Sequence, residues 1–260
     1  MSLRSIFLFA PAETGSAQAG PSALAIDLAR NHGATLTAFV VPLDVTTPGR
    51  DTDAAAVAQG IAEAARTAGV DCQTVTSHSH AMTVHEAICQ QARLHDLIVT
   101  GTDDSSMLSE RNIAEHLLFE SGRPVLLVPQ SHGAGAGGSQ AAVAWDSTAA
   151  AARALGDAVA LLDLDAADFL TISGEKDLPA DLAESLLVTT SARRGLTARH
   201  SVAELGSRSI AAALQDEAHA RGAALLVMGG FGHSNLRRWV LGSATSDLFA
   251  GLTMPVLLSR

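Results

Sequence analysis

Short apolar runs recur along the chain, each closed by glycine, proline or a polar residue and each followed by a longer stretch of helical spacing. In the first half, residues 5–10 predict a buried strand, 22–32 a helix and 35–41 a second strand. The second half is easier to parse. Strands are expected at 141–146, 168–173, 196–202, 224–229 and 255–259. Helices are expected at 149–162, at 177–194 with Pro179 marking the start, at 207–221 and at 243–251. In the third of these, Ile210, Leu214 and Ala218 repeat every four residues and so share one face. Strands that alternate with helices imply a parallel, doubly wound α/β sheet, and right-handed crossovers leave few topologies open.

The pattern is written twice. DLIVTG ends at Gly101, and LLVMG ends at Gly229, 128 positions later. PVLL begins at Pro124 and again at Pro255, 131 positions later. A period that long means two whole domains rather than a solenoid. Between them QSHGAGAGGSQ, residues 130–140, has no apolar periodicity and reads as a flexible connector. The expected division is a first domain at 1–130, a linker at 131–140 and a second domain at 141–260. A length of 260 residues suits two such domains.

Composition refines this picture. Aromatic residues make up 3% of the chain and Tyr is absent, so the cores must be built from Ala, Val, Leu and Ile, which suits helices packed closely on a parallel sheet. A net charge of −10 argues against binding nucleic acid. Lys176 is the one lysine, so phosphate chemistry would fall to Arg, backbone N–H groups or a metal. Cys72 and Cys89 form no CxxC pair, which fits a reducing, cytoplasmic setting. The run at 6–11 is too short for a signal-peptide core or a membrane span, so no membrane association is expected.

The segment carrying the chemistry is VMGGFGHSNLRRWVLGSATSDLF, from Val227. Gly229, Gly232 and Gly242, with Ser243 after the last, have the spacing G-x2-G-x9-G-S. It begins at the carboxyl end of an expected strand and ends at an expected helix start. Ligands of open α/β sheets bind there, and free N–H groups with the helix dipole favour anions. Glycines let the backbone approach a phosphate, and Ser243 can cap the helix while offering a hydroxyl. His233, Arg237 and Arg238 lie in the x9 segment, where the Arg side chains suit phosphate oxygens or a solvated loop face equally.

This segment resembles the ATP-binding signature of the universal stress proteins at all four defined positions. The resemblance implies two Rossmann-like domains in tandem, forming a pseudo-dimer in which the last strands, 124–128 and 255–259, pair within the chain. It implies an adenine nucleotide (ATP, or AMP or ADP, with Mg²⁺ an option) in the second domain. Asp146, followed by Ser147, matches the residue that holds the adenosine part. Ile172 and Met228 match residues beside the base. Ala244 takes a place that is often Val. The family also implies a role in stress resistance and growth arrest, exerted on a protein partner that the sequence does not identify, and further homodimerisation is left open.

The first half departs from the signature. Gly101 matches Gly229, but Asp104 stands at the Gly232 position and Ala114 and Glu115 fall, by direct count, where Gly-Ser should be. Acids at 103 and 104 would repel a polyphosphate, and the first strand ends without an equivalent of Asp146, Glu13 being a poor substitute. The first domain is therefore expected to be a structural partner without nucleotide. His78, His80 and His85, with Glu86, could in spacing alone hold a metal, although a polar surface explains them as well. No P-loop, hydrolase elbow or dedicated general base is present. The expectation is a nucleotide-binding regulatory or protective protein rather than an enzyme. Slow Mg-dependent ATP hydrolysis and a nucleotide-free interaction module are the alternatives.

Overall fold

The computed structural model describes residues 2–42, 54–76, 84–103, 109–133, 139–174, 184–230, 248 and 251–260. It divides into two compact units, Met1–Gly137 and Gly138–Arg260. The first holds β1 (Ser5–Pro11), α1 (Gly20–His32), β2 (Thr35–Val41), α2 (Ala54–Thr67), β3 (Cys72–Thr76), α3 (Val84–Ala92), β4 (Leu97–Thr100), α4 (Glu110–Glu120) and β5 (Val125–Leu127). The second holds β6 (Gln140–Ala144), α5 (Ala149–Leu161), β7 (Ala166–Ser173), α6 (Glu184–Ala192), β8 (Thr197–Glu204), α7 (Ile210–Ala220), β9 (Leu225–Gly229) and β10 (Val256–Ser259).

Within the first unit the strand order is β3-β2-β1-β4-β5, and within the second it is β10-β9-β6-β7-β8. The strand pairs inside each unit run parallel. In both units the chain winds outward from its first strand in one direction, then returns to that strand's other side and winds the opposite way. Right-handed crossovers then place helices on both faces, and the switch point lies between β1 and β4 in one unit and between β6 and β9 in the other.

Buried strands are mainly apolar where both faces are covered. Leu97, Ile98 and Val99 of β4 and Leu226 and Val227 of β9 are fully buried. The edge strand β8 instead alternates between exposed and half-buried positions. It is fastened to β7 by a charge cluster. Buried Asp168 accepts from Arg199 Nε at 2.8 Å and from the Ser201 hydroxyl at 2.8 Å, and Arg221 Nε lies 3.2 Å away. Arg221, just beyond α7, also pairs with Glu217.

Hydroxyl caps decide where several helices begin. Thr148 starts α5 and accepts from the Ala151 N–H, while Ser209 starts α7 and accepts from the Ala212 N–H. Hence α7 starts three residues later than the expected 207. For α6 the structure describes Glu184 onward, and Pro179 lies outside the described residues, as does nearly all of the helix expected at 243–251. Gly156 sits inside α5 with open space where a Cβ would be. Gly156→Ala is therefore expected to stabilise the second unit by ~0.5–1 kcal/mol in a urea melt, because Ala loses less backbone entropy in a helix.

Both cysteines are free thiols. Cys89 is buried, and desolvation pushes its thiol up to about 11. The His85 ring lies 4.3 Å from that of His116, centroid to centroid, and burial with the neighbouring His116 holds His85 below its ordinary range. His78 and His80 lie outside the described residues, among which no His, Cys, Asp and Glu group is arranged to hold a metal. No described helix is long and apolar enough to cross a membrane.

Candidate functional site

At the switch point of the second unit, β6 lies between β9 and β7, with Val143 opposite Val227 on one side and Phe169 on the other. Because the three strands are parallel, their carboxyl ends open on the same edge of the sheet. Asp146 and Ser147 follow β6 there, Met228 and Gly229 end β9, and Ile172 lies near the end of β7. Five expected residues are thus brought to one edge. Gly232, His233, Gly242, Ser243 and Ala244 lie outside the described residues.

Local chemistry fixes the turn after β6. The Trp145 N–H donates to the Leu170 carbonyl at 2.8 Å, and the Thr171 hydroxyl donates to the Trp145 carbonyl at 3.0 Å. Ser147 then takes a left-handed conformation with φ of 63°, an uncommon state for a residue with a Cβ. Asp146 Oδ1 accepts from the Thr148 N–H at 3.1 Å and from the Thr148 hydroxyl at 2.6 Å. Thr148, having accepted from Ala151, thus links the Asp146 carboxylate to the first turn of α5. That helix carries no acid in its first turn, so its positive end is left uncompensated by its own side chains.

Gly229 answers to a packing demand as well as to the expected ligand. A Cβ at this position would lie 2.6 Å from the carbonyl carbon and 2.7 Å from the Cβ of Ala150, and 2.7 Å from the nitrogen of Ala151. The strand end and the start of α5 can approach this closely because residue 229 has no side chain. Its neighbour Gly230 donates its N–H to the Ser259 carbonyl at 2.6 Å. Thr148 and Trp145 were not among the expected site residues. An Asp-x-Thr turn ahead of an Ala-rich helix is the signal that could have identified Thr148. Trp145 stacks edge-on against Phe169 at 5.5 Å, and its Nε1 is buried without a hydrogen-bond partner among the described residues. The hydroxyl of Ser259, at the end of β10, is buried in the same way. Such groups are paired in nearly all folded proteins.

The corresponding edge of the first unit is built differently. Gly101 ends the run of β4, and the space beside it is filled by the carboxylate of Glu110, the first residue of α4. Ala114 and Glu115, aligned by count with Gly242 and Ser243, lie well inside α4, because Ser109 caps that helix only eight residues after Gly101. Asp104 lies outside the described residues.

Residues 134–260 match the model of the universal stress protein family. A search of curated proteins finds no match. Among solved structures, a universal stress protein from Archaeoglobus fulgidus aligns over 98% of this chain and 98% of its own, with 14% identity and a TM-score of 0.69. A putative universal stress protein from Pseudomonas aeruginosa aligns over 99% of this chain and 93% of its own, with 18% identity and a TM-score of 0.58. At such identities the likeness is one of fold, and it extends over both units. A further Archaeoglobus fulgidus universal stress protein, solved in complex with dAMP, aligns over 49% of this chain and 99% of its own, with 14% identity and a TM-score of 0.36.

Proposed function

Because residues 134–260 match the universal stress protein family, we propose that the second unit binds an adenine nucleotide, ATP foremost, and that the protein acts as a nucleotide-dependent regulator or protector under stress. The observation that carries this reading is the meeting of Asp146 and Gly229, where the glycine motif begins, at the switch point between β6 and β9. Asp146 would hold the sugar hydroxyls through Oδ2, its Oδ1 being engaged by Thr148. The N–H groups of the glycine loop, together with Ser243, would hold the phosphates. Ile172 and Met228 would border the base. Because the sequence carries no P-loop or hydrolase elbow, the proposed role is binding rather than rapid turnover.

The test is the nucleotide content of freshly purified protein, followed by a titration with ATP. Close to one adenine nucleotide per chain is expected, with none retained by Gly232→Asp, which puts charge and bulk into the phosphate cradle. Asp146→Ala should weaken binding roughly 10- to 100-fold, the range for losing a hydrogen bond to a charged group. Asp146→Asn keeps the Oδ1 acceptor for Thr148 and so separates ligand contact from helix capping. A protein that is purified empty and fails to take up added ATP would overturn the reading.

A further inference from the structure

The switch point of the first unit holds a carboxyl group supplied by the chain itself. The Gly101 N–H donates to Glu110 Oε1 at 2.9 Å and the Asp103 N–H to Oε2 at 3.0 Å. The Gln130 side-chain amide, just beyond β5, donates to Oε2 at 3.1 Å. Glu110 is 2% exposed. A Cβ on Gly101 would meet both carboxylate oxygens at 2.6 and 2.7 Å, so the carboxylate lies directly against the strand end.

Helix capping does not account for this contact. Ser109 is already the cap of α4, its hydroxyl accepting the Asn112 N–H at 3.2 Å. Glu110 instead turns away from its helix toward the loop after β4. Two backbone N–H groups of one loop converging on one site form an anion cradle, and this cradle lies where open α/β sheets take their ligands. Burial works against the charge and, with some help from Asp103, pushes the Glu110 carboxyl up to about 7 despite its three donors.

We propose that Glu110 is a built-in ligand, whose carboxylate fills the anion cradle of the first unit and keeps external carboxylates and phosphates out of it. The inference is independent of nucleotide binding in the second unit. It also offers a reason for the expected absence of nucleotide from the first unit that does not depend on Asp104.

Chemical rescue in the intact chain tests it. Glu110→Ala removes a fragment equivalent to acetate, so acetate is the probe, compared with chloride at equal ionic strength. Unfolding of the first unit is followed by the temperature at which buried Cys89 becomes reactive to a thiol reagent. In Glu110→Ala, acetate at ten times its dissociation constant should raise that temperature by about 4 °C, and it should leave the wild type unchanged. Equal responses in the two proteins would overturn the proposal. Should Glu110→Ala fail to fold, Glu110→Gln preserves the volume but offers one acceptor oxygen instead of two. Amide exchange at Gly101 or Asp103 should then speed up about tenfold relative to Ile98 and Val99 in β4, and unchanged exchange at both would equally rule it out.

Discussion

Gly229→Ala is expected to destabilise the second unit by ~3 kcal/mol, at the upper end of the range for overpacked sites. The added methyl would come within 2.7 Å of three atoms of Ala150 and Ala151, two of them backbone, in the first turn of α5. Backbone in a capped helix cannot turn aside as a flexible side chain can. Relief would require α5 to move away from β9, disturbing the Thr148 cap and its bonds to Asp146. Urea melts followed by tryptophan fluorescence, both tryptophans (Trp145 and Trp239) lying in the second half of the chain, would report the loss. Gly156→Ala, in the same unit but facing open space, should shift the midpoint the opposite way. Equal midpoints for Gly229→Ala and wild type would show that the close approach is not needed. The substitution should also weaken nucleotide binding, because the helix and the Asp146 turn move together.

Stability of the first unit should fall as pH rises from about 4.5 to 7, by about 3 kcal/mol from Glu110 alone. The sign follows from the direction of the shift. Burial raises the folded-state carboxyl from its ordinary 4.5 to about 7, so the folded protein holds this proton more tightly than the unfolded chain does. The resulting stabilisation is complete below the unfolded value, declines as pH rises above it and is gone once pH passes the folded value. Glu110→Gln carries no titrating proton, so its profile should be flatter over the same window. Subtracting the two profiles removes other groups, including His95, which burial holds below its ordinary range. Superimposable profiles for wild type and Glu110→Gln would mean that the carboxyl is not held in a dry site.

Much of the architecture was legible in the chain. Strands covered on both faces, such as β4 and β9, are mainly apolar runs, and the second copy of PVLL marked the long repeat. These signals are local and strong. Helix ends were less legible, because a cap depends on which hydroxyl actually reaches an N–H: Ser209, rather than Ser207, begins α7. In the candidate site, the placing of Asp146, Ile172, Met228 and Gly229 at one sheet edge followed from strand order. The engagement of Asp146 with Thr148 did not, since it requires the left-handed turn at Ser147.

The two strand-end glycines separate the two sources of information. Sequence by itself determined that Gly101 and Gly229 are equivalent, that the glycine spacing continues after the second and that acids follow the first. Tertiary structure alone decided why each is glycine. At Gly229 the missing Cβ admits the backbone of α5, and at Gly101 it admits the carboxylate of Glu110, nine residues ahead. Apolar periodicity and motif spacing are written residue by residue along the chain. A close approach depends on where two elements meet in space, which no pattern of apolar periodicity or motif spacing states.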